Sequence, residues 1–131
     1  MPLFFTPVEA DVLVPEVQSI IAHVLKIKMN SMKLSGETEI AHAMDNLARE
    51  IQKLEDLGCV LKDLNVGLVD FPAVRLGVRV WLCWKLGERQ VQFWHGLQEG
   101  FANRKPVTEN EFYFDDTAIK ALAGEASKLT H

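Results

Sequence analysis

The chain has 131 residues, 48% of them hydrophobic and 24% charged, with a formal net charge of −4. That length suits a single domain over 1–131, and that composition supplies a core. The acidic balance argues against a nucleic-acid partner, because the basic groups (Lys26, Lys28 and Lys33, then Arg104-Lys105) form no concentrated patch.

Cys59 and Cys83 are the only cysteines, too few for the disulfide framework of a small secreted domain. The start, Met1-Pro2-Leu3-Phe4-Phe5-Thr6-Pro7, has neither a basic region nor an apolar run of signal length. No apolar stretch approaches the roughly 20 residues that span a bilayer. The expectation is a cytoplasmic protein with reduced thiols and no membrane partner.

Thr6-Pro7-Val8-Glu9 reads as a helix start: Thr6 as N-cap, Pro7 at the first helical position, Glu9 closing a capping box. Pro15 lacks an N–H and crowds the turn before it, which predicts a short helix over 7–13 and a long one from about 15 to 34. Ala10, Leu13, Val17, Ile20, Val24 and Ile27 form one apolar row. Val14, Ile21, Leu25, Met29 and Met32 form a second. Ser35-Gly36 breaks the chain. Ile40, Met44, Leu47, Ile51 and Leu54 repeat the spacing until Gly58 stops the second helix. A short connection makes the two helices antiparallel. A two-helix hairpin leaves part of such stripes uncovered, which predicts a homodimer with helices from two chains side by side.

Residues 66–95 hold all three tryptophans and many valines. Leu86-Gly87-Glu88-Arg89 separates two β-rich runs and predicts a tight hairpin pairing Trp84 with Val91, Leu82 with Phe93 and Val80 with His95. The other face of that hairpin pairs Cys83 with Gln92 and Trp81 with Trp94. An earlier strand over 67–74 turns back at Arg75-Leu76-Gly77. Setting Val69, Phe71 and Ala73 beside Val80, Leu82 and Trp84 makes one face almost wholly apolar, and this face packs on the helices. The opposite face then carries Asp70, Pro72, Trp81, Cys83, Lys85, Gln92 and Trp94. Two exposed indoles together call for a cover or a partner. A loop follows from Gly96 to Pro106. Phe112-Tyr113-Phe114 is an edge strand or an apolar tether, and Asp115 or Asp116 caps a last helix with Ile119, Leu122, Ala126 and Leu129 on one face.

The fold class is therefore α+β: a hairpin of long antiparallel helices (7–58) on a small three-stranded antiparallel sheet (66–95), with a C-terminal extension and helix (107–131). Asp70, Glu88, His95, Glu99 and Cys83 are metal-ligand types, but their spacing matches no metal motif, and no phosphate-cradling glycine loop is present. In the predicted register Asp70 and His95 point to opposite faces. Cys83 lacks a cationic neighbour beyond Lys85 and reads as an inert thiol. Asp70 needs a partner, for which Arg79, Lys85 or Arg104 could serve. Arg104-Lys105 could bind an anion.

Laid out this way, the chain resembles a bacterial family catalogued only as domain of unknown function 2203. The resemblance rests on Phe5-Thr6 with Glu9-Ala10, Pro15-Glu16, the run Gly58-Cys59-Val60-Leu61-Lys62-Asp63 and the run Gly67-Leu68-Val69-Asp70-Phe71-Pro72-Ala73. It continues through Leu82-Cys83-Trp84, Leu86-Gly87-Glu88, Phe93-Trp94-His95, Gly100-Phe101, Arg104 and Pro106, covering about residues 4–106. It implies the same hairpin-plus-sheet domain and brings no activity, cofactor or catalytic residue. The expected function is a homodimeric binding or scaffold module with a protein partner on a surface including Asp70, Trp81, Cys83, Glu88, Trp94, His95, Glu99 and Arg104. The alternative is a metal-binding or hydrolytic protein centred on Asp70, His95 and nearby acidic groups. Helix-mediated contact with another coiled-coil protein is a third reading.

Overall fold

The structure, a computed structural model, describes residues 4–108 and 110–112. The predicted C-terminal helix and residues Tyr113 and Phe114 lie outside the described residues. Helix α1 spans Pro7–Ser31 and α2 spans Glu37–Asp56. Five strands follow: β1 (Val60–Asp63), β2 (Leu68–Arg75), β3 (Val78–Lys85), β4 (Phe93–Gly96) and β5 (Lys105–Pro106). They form one antiparallel sheet in the order β1-β2-β3-β4-β5. Among the described residues the sheet thus has five strands rather than three. The two additional strands are short, four and two residues, and show no alternating burial that the sequence could advertise.

The capping box forms as expected: Glu9 N–H donates to Thr6 Oγ1 at 3.2 Å, and Thr6 N–H to Glu9 Oε1 at 3.0 Å. Helix α1 then runs straight through Pro15 instead of breaking there. Pro15 faces solvent, and its cost is one helical hydrogen bond, about 3 kcal/mol. Against that, Ala10, Val14, Val17, Ile20, Ile21 and Val24 are all buried, a larger gain at about 1.5–3 kcal/mol per large apolar side chain. Residues 32–36 then turn the chain into α2.

The core lies between α1 and the inner face of the sheet. There β2 and β3 pair as the apolar pattern predicts: Val69 with Trp84, Phe71 with Leu82, Ala73 with Val80. Trp84 is fully buried and donates its indole N–H to the Glu88 carbonyl at 2.9 Å. Phe5 meets Phe71 edge-on at 5.4 Å. Leu54, Cys59 and Phe112 close the ends of this core.

The β3–β4 pairing differs from the expected register by one residue. Cys83 pairs with Phe93, Leu82 with Trp94, Trp81 with His95 and Val80 with Gly96. The cause is the connection, which is seven residues (86–92) rather than a tight turn. Glu88 folds back on β3, accepting the Lys85 N–H on its carboxylate at 2.7 Å. Val91 is drawn into the core and donates its N–H to the Asp11 carboxylate of α1 at 2.7 Å. The ladder therefore restarts only at Phe93. Since strand side chains alternate, the one-residue shift sends Phe93 and His95 outward and Trp94 inward. The expected pair of outward indoles, Trp81 with Trp94, does not exist.

Gly67, in the turn between β1 and β2, has φ +68°, and a Cβ there would meet Leu86 Cβ at 2.8 Å and Ile21 Cγ2 at 2.9 Å. Gly77 has φ +81° with nothing within 4 Å. Gly77→Ala should therefore cost about 1–2 kcal/mol from backbone strain alone, and Gly67→Ala a further 1–3 kcal/mol or so from overpacking. Urea unfolding of the two variants checks the difference; equal losses would refute the close approach of α1 to this turn.

Candidate metal centre

The outer face of the sheet carries Asp70 and Pro72 from β2, Trp81, Cys83 and Lys85 from β3, and Phe93 and His95 from β4. Asp70 sits directly opposite Cys83, and His95 opposite Trp81. Cys83 is small, so Asp70 and His95 can lean over it and meet: His95 Nε2 lies 2.9 Å from Asp70 Oδ2. The sequence-based register held these two residues on opposite faces; the shift of β4 brings them together. Asp70 finds its partner in His95, and neither Arg79, Lys85 nor Arg104 is needed.

Three ligand atoms, one each from Asp70, Cys83 and His95, lie within 4.8 Å of one another. The residues are almost completely withdrawn from solvent, at 1%, 0% and 3% exposure. Two cation–aromatic layers cover them. On one side Lys62 Nζ sits 4.5 Å over the Trp81 ring. On the other, the Arg104 guanidinium lies 4.0 Å over Phe93 and 4.7 Å over Phe101. Arg104 Nη2 donates to both carboxylate oxygens of Glu88, at 2.7 and 2.9 Å, and to the Cys83 carbonyl at 3.2 Å. Long cationic side chains close the face with their stems and keep their charge paired or wet.

Proton positions follow from the acceptors. His95 Nδ1 is 2.9 Å from the Gly96 carbonyl, which can only accept, so Nδ1 carries a hydrogen and Nε2 is the nitrogen that faces Asp70. The Nε2–Oδ2 contact then requires one bridging proton. Burial pushes the Asp70 carboxyl above its ordinary value, offset in part by His95, by the Cys83 thiol hydrogen bond and by Lys62. Among the described residues Asp70 Oδ1 has no hydrogen-bond partner. Burial pushes the Cys83 thiol up to about 12, and the Asp70 charge beside it pushes the same way. This is not an activated thiol: the imidazole is committed to the carboxylate, and the carboxylate opposes a thiolate.

The other expected site residues stand apart. Glu88 binds Arg104 and the β3 backbone. Glu99 accepts from the Gly96 N–H at 2.7 Å and from Lys105 Nζ at 2.8 Å and is not among the three clustered donors. Trp94 lies on the inner side between Arg75 at 4.3 Å and Lys105 at 4.8 Å. Trp81 lies opposite His95 on the outer face, under Lys62. Sequence reasoning missed Lys62, Phe93 and Phe101, which provide the cover. One signal was available for the register: Asp70 and His95 are both candidates for burial, and burying both favours the pairing in which each satisfies the other.

Because the folded chain favours the protonated Asp70, this group's contribution to stability is complete below its ordinary value near 3.8 and is lost as pH rises through the higher folded value. Urea unfolding of metal-free protein between about pH 4 and 8 should show that decline. Asp70→Asn, an isostere of the protonated acid, should remove it while staying within about 1 kcal/mol of the parent near neutrality. Identical pH profiles for the two proteins would contradict this assignment.

No curated protein and no solved structure matches the chain. A family model described as "Uncharacterized conserved protein (DUF2203)" matches residues 3–107, which takes in both helices, all five strands and every residue of the cluster. The chain belongs to that family.

Proposed function

We propose that this domain binds one divalent transition-metal ion of the zinc type through Asp70, Cys83 and His95. The observation that carries the reading is the buried Asp70 Oδ1, without a hydrogen-bond partner among the described residues, in a cluster with an imidazole nitrogen and a thiol. Nitrogen, sulfur and carboxylate oxygen are the donors such an ion takes. A second carboxylate oxygen supplies a fourth contact, so the orphaned Oδ1 gains a role. The Gly96 carbonyl holding Nδ1–H is the outer support that metal-bound imidazoles usually have.

Charge favours a divalent ion. A carboxylate and a thiolate contribute two negative charges, so a +2 ion makes a neutral buried centre, which removes the main cost of burying charge. The ion would displace the thiol proton and the proton between Asp70 and His95. In a tetrahedral zinc site donor oxygen and nitrogen stand about 3.3 Å apart, so the 2.9 Å Asp70–His95 contact opens by about 0.4 Å on binding. With donors on three adjacent strands, the ion staples β2, β3 and β4 together. A hydrolytic role would need a coordination position open to water, and the burial of all three donors favours a closed, structural centre.

Protein purified without a histidine tag should carry about one zinc per chain, and removing the ion should lower Tm on the order of 10 °C. Cobalt substitution should give a thiolate charge-transfer band that Cys83→Ser abolishes, and Asp70→Asn should remove metal-dependent stabilisation. Absence of bound metal, with no Tm response to manganese, cobalt, nickel or zinc, would refute the reading.

The helices support self-association as a second reading. Of the apolar row on α2 only Leu54 is fully buried, while Ile40 and Met44 are 38% and 43% exposed. Near this hairpin end the last turns of α1 carry Lys26 and Lys28, the turn after it carries Lys33, and the first turn of α2 carries Glu37 and Glu39. That arrangement complements itself in a two-fold pair. Light scattering should then give twice the 14.8 kDa chain mass at micromolar concentration; a monomer there removes the reading.

A further inference from the structure

The three donors are sealed on both sides, so an ion can reach them only through motion. The inner route is closed by the hydrophobic core, with Leu82 and Trp84 of the same strand fully buried. Two covers remain on the outer side, Lys62 over Trp81 and Arg104 between Phe93 and Phe101.

We infer that Arg104, clamped between Phe93 and Phe101 and held by Glu88, is the gate through which a metal ion enters and leaves the Asp70–Cys83–His95 centre. The inference rests on the metal-binding reading above. Arg104 is the cover that touches the donor strand at the donor itself, through the Cys83 carbonyl. It ends a segment whose own backbone bonds are all short-range turns: Glu99 N to Gly96 O, Asn103 N to Gly100 O and Arg104 N to Phe101 O. Residues 97–104 make no ladder contact, so the segment can lift while β4 and β5 stay paired. The closed clamp is also incompletely satisfied. Among the described residues Arg104 Nε is buried without a hydrogen-bond partner, and opening returns it to water.

Opening changes the electrostatics in the direction a cation gate needs. Closed, the guanidinium places a positive charge over the Cys83 carbonyl and opposes an entering cation. Open, it frees Glu88 Oε2, while Oε1 stays held by the Lys85 N–H, and that oxygen beside the same route can receive the ion before the buried donors do. The barrier is the separation of one charge-assisted, partly buried ion pair together with the unstacking of a guanidinium from two rings.

Stopped-flow zinc uptake and zinc release to a chelator, measured on the full chain, test this. Phe101→Ala removes one wall of the clamp at a residue that is 44% exposed, so the core is untouched. Arg104→Gln removes the charge. Both variants should speed uptake and release together, by about tenfold, leaving the equilibrium Kd far less changed than either rate. Lys62→Ala, which removes the other cover and a positive charge near Asp70, should speed both rates less than the Phe101 and Arg104 variants do. Unchanged rates in the Phe101 and Arg104 variants, or acceleration only in the Lys62 variant, would overturn the gate. So would a Kd that weakens in step with faster release, the signature of a residue that holds the donors in position. If the parent protein binds no metal, it is the underlying metal-binding reading that fails.

Discussion

A single hydrogen-bonded contact organises the outer half of this domain: Asp70 of β2 reaches over Cys83 of β3 to His95 of β4, at 2.9 Å. A carboxyl group withdrawn from water with no partner costs several kcal/mol, so Asp70 can occupy the middle of a sheet only if something meets it there. Meeting His95 fixes which way β4 faces. Once His95 points outward, Phe93 must also, and it needs a cover, which Arg104 provides. Trp94 must turn inward, where it packs at the border of the core between the cations of Arg75 and Lys105. Each of these placements follows from the pleat once one residue is set.

The two faces of the sheet solve different problems. The inner face is dry and close-packed against α1, with Trp84, Phe71 and Leu82 filling it. Among the described residues no helix lies over the outer face, yet its central residues are as deeply buried. Lys62 and Arg104 achieve this by laying their stems and charged heads over Trp81, Phe93 and Phe101. Such a cover keeps water out while leaving positive and negative charge close by. That environment suits exchange between protons and a metal cation at buried donors, which an aliphatic cover would not.

The helical hairpin, the capping box at Thr6 and the β2–β3 pairing were all readable, because each depends on periodicity within about 20 residues or on a local side-chain bond. The continuity of α1 through Pro15 was not. Proline's penalty is local and visible, whereas the compensating burial of Val14, Val17 and Ile21 depends on a sheet some 50 residues later in the chain. Strands β1 and β5 were hidden for a related reason: four and two residues carry too little pattern, and both exist because a neighbouring strand offered an open edge.

At the site, the amino-acid sequence by itself determined the inventory: one buried-capable acid, one thiol, one imidazole and an arginine within residues 70–104, along with the inward face of β2 and β3. Tertiary structure alone decided that they converge. The deciding event is the capture of Val91 by the core and of its N–H by Asp11, 80 positions earlier. Periodicity along a strand states which residues share a face. Which face that is depends on how the preceding loop is held, and here it is held by α1.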